Sequence, residues 1–437
     1  MHSTFLGLIS LLLGTASPVP LQPMPWPALV TASQWSAPWL TQLNATDSQA
    51  EAIVEQYVAT LASQGFSASA QGVWVQAGAT ALASHQGIVP LPVASLTKLA
   101  TTLAALRTWP VDHQFETLVG YRGTIQNGVL QGDLIVQGGR DPYFVWEEAI
   151  ALGNALQALG LQRVTGNLVI VGDFSMNFDP DPYDSGELLR EGLDSARWSA
   201  EAQQYYATLP PGTKQPNLWI EGEVVLGQIA AEAPPKGLIR HQSLPLVALL
   251  KAMNIYSNNA MADLIALGTG GANTVAAKVV AETQLPLEEV RFINGSGLGV
   301  ENQMSPRAVV VTLQAIQKVL QPQGLSVSDV MPVMGQEIGT LVGRDLPTQS
   351  ALKTGTLAEV SSLAGVFYSR DRGPIWFAIL NQGYNLDGFR VQQDALLRSL
   401  ESHWGSASPS PELQPKVKLG QAPYWLGDPK RNQADGE

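Results

Sequence analysis

Apolar residues recur near helical spacing over residues 49–62, where Ala52, Ile53, Val54, Tyr57, Val58 and Leu61 form one face, and this pattern predicts a helix. Two strand-like runs follow, Gly72-Val73-Trp74-Val75 and residues 81–88, so a hairpin is expected next. Residues 95–106 read SLTKLATTLAAL, nearly all helix formers, and Trp109-Pro110 ends the run. A helix this apolar belongs inside a core. From 111 to 240 the pattern shortens to strand candidates at 115–121, 132–136 and 166–171, separated by Gly, Asn and Asp. Helical spacing returns at 244–256, 260–267, 274–283 and 306–320, followed by strands at 362–368 and 375–380 and a last helix at 389–400. Helix and strands at both ends, helices between them and a strand-rich interruption predict an α+β domain (48–110 and 241–403) split by an inserted β-rich domain (111–240).

The ends have a different texture. Residues 5–13 are apolar and lead into Gly14, Thr15, Ala16 and Ser17, the layout of an export signal over 1–17, so the expected location is the periplasm or cell envelope. Pro, Trp and Ser dominate 18–47, a linker composition, and alternating Ser and Pro from 406 to 411 open a segment, 404–437, expected to be a flexible tail. No apolar run approaches the roughly 20 residues of a membrane-spanning helix, so no transmembrane segment is expected.

Composition removes several classes of chemistry. With 45% apolar and 14% charged residues the chain is suited to a globular core. Its 25 Lys and Arg against 37 Asp and Glu, a net charge of −12, oppose a phosphate backbone, so no nucleic-acid partner is expected. Cysteine is absent and the five histidines are far apart, which leaves no thiolate and no paired metal ligands; no metal and no cofactor are expected.

The remaining candidates are hydroxyls, amines and amides. Ser95-Leu96-Thr97-Lys98 is an SxxK tetrad, which on a helix sets a hydroxyl and an amine one turn apart on one face. An amine in apolar surroundings loses its proton more easily and becomes a base for the serine. SxxK occurs again at Ser350-Ala351-Leu352-Lys353, and an SxN triplet occurs both at Ser257-Asn258-Asn259 and at Ser175-Met176-Asn177, so neither motif selects itself. Lys353-Thr354-Gly355-Thr356 occurs once, ahead of a strand-like stretch, where Gly admits close approach of a substrate backbone.

The order Ser95/Lys98, Ser257/Asn259, Lys353-Thr354-Gly355, set on a helix start, an inter-helix loop and a strand, resembles the penicillin-recognising serine enzymes, whose β-lactamase/transpeptidase-like fold is α+β. The long interval between Ser95 and Ser257 resembles the low-molecular-mass class C penicillin-binding proteins, the D-Ala-D-Ala carboxypeptidase/endopeptidase family interrupted at that point. Gly132-Asp133-Leu134, Gly138-Gly139-Arg140-Asp141-Pro142, Met253-Asn254-Ile255-Tyr256, Asn294-Gly295-Ser296-Gly297-Leu298 and Leu363-Ala364-Gly365 also look like that family. The resemblance implies Ser95 as nucleophile, Lys98 as base and Ser257 as proton relay. It further implies that Asn259 holds the substrate amide, that Lys353 and Thr354 bind the terminal carboxylate, that Lys353 helps to lower the proton affinity of Lys98, and that Gly355-Thr356 lines the site. Backbone N–H groups of Ser95 and Thr356 would form the oxyanion hole, worth about 3–4 kcal/mol per donor in serine enzymes. The implied partners are peptidoglycan stem peptides, with β-lactams as covalent inhibitors. A serine β-lactamase, or a peptidoglycan-binding protein with a degenerate site, are the competing readings.

Overall fold

The computed structural model describes residues 47–229, 234–337, 339–408 and 410–435. The expected export signal, 1–17, and all of the expected linker except Asp47 lie outside the described residues. Along the chain come α1 (Ser48–Ser63), β1 (Gln71–Ala77), β2 (Thr80–His85) and α2 (Thr97–Leu106), the last preceded by a 3-10 turn, Ala94–Leu96. The inserted stretch holds β3 (Glu116–Gln126), β4 (Val129–Gly139), α3 (Trp146–Ala158), β5 (Leu168–Asp173), α4 (Pro182–Gly192), α5 (Ala200–Tyr206), β6 (Val224–Gly227) and β7 (Lys236–Gln242). Helices α6 (Leu246–Tyr256), α7 (Asn259–Gly268), α8 (Ala272–Thr283) and α9 (Pro306–Leu320) follow. Strands β8 (Ser350–Leu357), β9 (Val360–Ser369) and β10 (Gly373–Gln382), helix α10 (Leu386–Trp404) and the short β11 (Asn432–Ala434) complete the chain.

The larger domain is built on an antiparallel sheet in the order β8-β9-β10-β1-β2. Val73 on β1 lies opposite Ile379 on β10, so strands from before and after the insert share one sheet. Helices α1 and α10 cover one face, where Val54, Leu61, Leu397 and Leu400 join Val75 and Phe377 in a core. The other face carries α2, which also touches α6, α7, α8 and α9. Every residue of α2 is buried, which is why its sequence has no polar stripe. Leu99 and Leu103 stabilise the fold by about 2 kcal/mol each through burial. That gain offsets the cost of enclosing Lys98 on the same helix.

The insert has a core of its own, in which Trp146, Ile150 and Leu189 pack against Leu134 and Ile170. Its sheet runs β11-β7-β3-β4-β5-β6, antiparallel except where β4 meets β5 and β5 meets β6 in parallel. Asn127-Gly128 joins β3 to β4 with both residues at positive φ, 51° and 79°, the conformation a two-residue hairpin needs. The strands anticipated from alternation are present, and α3, α4 and α5 are additional to them.

The segment expected as a flexible tail is a correction. Leu413 and Val417 are buried in the larger domain's core, and the backbone N–H groups of Lys416 and Val417 donate to Asp329 Oδ1 at 2.6 and 3.0 Å. Beyond them β11 pairs with β7 at the edge of the insert sheet. Arg431 reaches Glu148 of α3 in a buried ion pair, and His241 Nδ1 lies 2.9 Å from Asn432 Oδ1. Dense Pro and Gly hide this order because it comes from long-range contacts rather than from any local period. Removing one partner of a buried pair strands the other charge, so Arg431→Ala is expected to cost about 3 kcal/mol, read as a lower urea midpoint.

Candidate active site

Ser95 lies in the 3-10 turn that leads into α2, directly after Ala94, whose φ is +48°. A non-glycine residue in the left-handed region is held there by its surroundings. Gly297 supplies the hold: its φ is +86°, and a Cβ on it would stand 1.9 Å from the carbonyl oxygen of Ala94. Only glycine fits against this turn.

One helical turn on, Lys98 is fully buried and its Nζ has three neighbours, Ser95 Oγ at 3.0 Å, Asn259 Oδ1 at 2.8 Å and the Ser296 carbonyl at 2.7 Å. Burial pushes the amine down to about 7, with Asp263 pulling in the opposite direction. Neutral lysine has two N–H bonds and one lone pair. Two of the neighbours are carbonyl oxygens that only accept, so the N–H bonds go to them and the lone pair faces the Ser95 hydroxyl. The arrangement is that of a base aimed at its nucleophile.

Ser257 caps α6 in the left-handed region, φ 52°. The next residue, Asn258, has the ordinary role of an Asn between helices and accepts from Met261 N at 2.9 Å to cap α7. Asn259, the first residue of α7, turns its Oδ1 to Lys98, which leaves its Nδ2 to donate to a substrate carbonyl. From β8, Lys353 Nζ reaches Ser257 Oγ at 2.9 Å and the Thr354 carbonyl at 2.7 Å. Burial holds this buried amine well below its usual range, and the charge of Lys98 adds to the effect. The expected influence of Lys353 on Lys98 is a correction: desolvation lowers Lys98, and the like-charge repulsion falls on Lys353.

Gly355 brings β8 edge-on to the nucleophile. A Cβ there would stand 2.3 Å from Ser362 Oγ, 2.7 Å from the Val93 carbonyl and 3.0 Å from Ser95 N. Thr354 Oγ1 bonds Thr340 Oγ1 at 2.6 Å, while Thr356 presents its hydroxyl to a cleft of about 470 Å³ lined by Ser95, Ser257, Thr340, Thr354 and Arg390 among others.

A protein-family model described as the D-Ala-D-Ala carboxypeptidase 3 (S13) family matches residues 54–185 and 194–401, well over half of the chain. The chain belongs to the S13 family. It is 26% identical over 355 residues to the carboxypeptidase Rv3627c of Mycobacterium tuberculosis, a match covering 71% of this chain and 75% of that one. To the D-alanyl-D-alanine carboxypeptidase DacB of Haemophilus influenzae it is 25% identical over 405 residues, covering 70% and 83%. Two solved structures share the fold. The penicillin G-acylated Bd3459 predatory endopeptidase of Bdellovibrio bacteriovorus superposes with a TM-score of 0.69 at 21% identity, over 83% of this chain and 98% of that one. Penicillin binding protein 4 of Haemophilus influenzae, complexed with a β-lactam, gives 0.56 at 21% identity, over 76% and 95%.

Within this S13 chain the structure brings Ser95, Lys98, Ser257, Asn259, Lys353, Thr354, Gly355 and Thr356 to one cleft. It leaves the duplicate motifs elsewhere. Ser350 is buried on β8 and donates to the Pro347 carbonyl, and Ser175 donates to the Asp179 carbonyl within the insert. Three participants had no signal of their own: the Ser296 carbonyl, Thr340 and Asp263, whose Oδ1 accepts from Gly295 N at 2.9 Å and steadies the loop that carries Ser296.

Two outcomes follow from this geometry. Acylation of Ser95 by a penicillin should quicken as pH rises through about 7, because only deprotonated Lys98 takes the serine proton, a profile measurable by stopped-flow. Gly355→Ala should slow the same acylation by about 100-fold or more by displacing β8 from Ser95, checked against an unchanged circular dichroism spectrum.

Proposed function

We propose that this protein is a serine D-alanyl-D-alanine carboxypeptidase/endopeptidase that cleaves peptidoglycan stem peptides through an acyl-enzyme on Ser95. The observation that carries the reading is the neutral-amine geometry at Lys98, two accepting carbonyls and one serine hydroxyl within 3.0 Å.

Ser95 Oγ attacks the carbonyl of the penultimate D-Ala while its proton passes to Lys98 Nζ. The backbone N–H groups of Ser95 and Thr356 hold the oxyanion, and the close approach that Gly355 permits supports that pairing. When the tetrahedral species collapses, the C–N bond breaks and the leaving amine takes a proton through Ser257, which Lys353 Nζ contacts at 2.9 Å. Water then attacks the ester, the amine network accepts its proton, and Ser95 is regenerated. Asn259 Nδ2 orients the acyl side of the substrate, and Thr354 with Lys353 receives the carboxylate of the leaving residue.

A β-lactam enters the same path, but its leaving amine stays tethered to the acyl group and obstructs the incoming water. Among the described residues lining the cleft there is no carboxylate or imidazole to activate a water by another route, which favours a peptidase with a long-lived penicilloyl adduct over a β-lactamase. The export signal read in residues 1–17 supports action in the periplasm or cell envelope, where stem peptides are.

Incubation with fluorescent penicillin tests the reading. Wild type and Ser350→Ala should carry a label stable over many minutes, Ser95→Ala none, and wild type should release D-Ala from an acyl-D-Ala-D-Ala peptide. Rapid loss of label with drug hydrolysis would point to the β-lactamase, and an unlabelled wild type to a binding protein.

A further inference from the structure

The cleft holds more positive groups than the motifs account for. Arg390, in the second turn of α10, lines it together with Ser95, Ser257 and Thr356, and its Nη2 donates to Thr356 Oγ1 at 3.3 Å. Its other arm, Nη1, meets Asp387 Oδ1 at 2.9 Å, but that carboxylate side chain is 92% exposed. A pair so open to water is worth little and exchanges readily for a better anion.

The other cations of the cleft are less available. Arg344 is committed to Asp394, with Nε at 2.9 Å and Nη2 at 2.6 Å from one carboxylate oxygen. Lys98 and Lys353 are buried amines whose charge is suppressed by burial, and each is occupied by the serine chemistry. A guanidinium stays charged at any working pH and presents a fork that matches a carboxylate. Among the described residues of this cleft, Arg390 combines a lasting charge with a weakly held partner.

Its position fits one part of the substrate. If the scissile carbonyl oxygen sits between the N–H groups of Ser95 and Thr356, the carboxylate of the leaving residue lies one residue further along, about 3.8 Å in chain terms. The side chain of Thr356 and the fork of Arg390 are the polar groups beside that place.

We infer that Arg390, with the Thr356 hydroxyl, receives the free α-carboxylate of the leaving D-residue, so that the enzyme selects unblocked over amidated or extended leaving residues. The inference rests on the function proposed above and adds a specificity residue to it.

The test compares kcat/KM for an N-acyl-D-Ala-D-Ala peptide and for its C-terminal amide, in wild type, R390Q and R390K. In R390Q the preference for the carboxylate over the amide should fall about ten-fold or more, chiefly through KM, since the lost contact is a charge-assisted hydrogen-bonded pair. R390K should restore part of it. An unchanged preference in R390Q, or an equal loss on both substrates with no recovery in R390K, overturns the assignment and leaves Arg390 a structural residue. Fluorescent penicillin run alongside separates the two levels. A wild type that neither labels at Ser95 nor releases D-Ala overturns the peptidase reading and this role with it, whereas normal labelling and release with an unchanged preference overturn only the role of Arg390.

Discussion

The chemistry of this protein depends on one amine taken out of water with no anion to pair with. Lys98 and Lys251 are both buried lysines of the same domain, and their surroundings differ in one respect. Lys251 Nζ meets Glu337 at 2.7 Å in addition to the carbonyls of Ser328 and Met331, a setting that keeps an ammonium. Lys98 meets two carbonyl oxygens and a hydroxyl, a setting that accommodates a neutral amine. The apolar helix α2, the strained turn at Ala94, and the loop carrying Ser296 all serve to hold that amine dry and aimed.

Each contributor comes from a different element, so the site exists only when the fold is complete. Ser95 and Lys98 stand on the helix start, Asn259 on α7, Ser257 at the end of α6 and Lys353 on β8. Gly297 and Gly355 let the elements approach closely enough for side chains of ordinary length to touch. A methyl group at either position would stand closer to backbone atoms than real contacts allow.

Much of this was legible in the residues because side chains do the work and side chains are what a sequence spells out. The helices around the site were anticipated nearly where they occur; 244–256 became Leu246–Tyr256, and 260–267 became Asn259–Gly268. Secondary structure also settles the duplicated motif. Ser350 and Lys353 are three apart on a strand and so face opposite sides of the sheet, whereas Ser95 and Lys98, three apart at a helix start, share a face. The Ser296 carbonyl was not legible, since any residue has one, and Thr340 and Arg390 reach the cleft from distant segments with no motif to mark them. The helices of the insert were missed because their apolar faces answer to the parallel strands β4, β5 and β6 rather than to a clean amphipathic period.

The last strand has a consequence for how the chain assembles. While the polypeptide is made from its N-terminus, the insert is complete in sequence once β7 has emerged, yet the outer edge of β7 has no partner until residues 432–434 exist. Through the whole synthesis of the second half of the larger domain, that edge offers unpaired backbone donors and acceptors to any neighbouring strand. The insert is therefore the first unit able to fold and the last to be sealed, and the strand that seals it also anchors the chain across both domains.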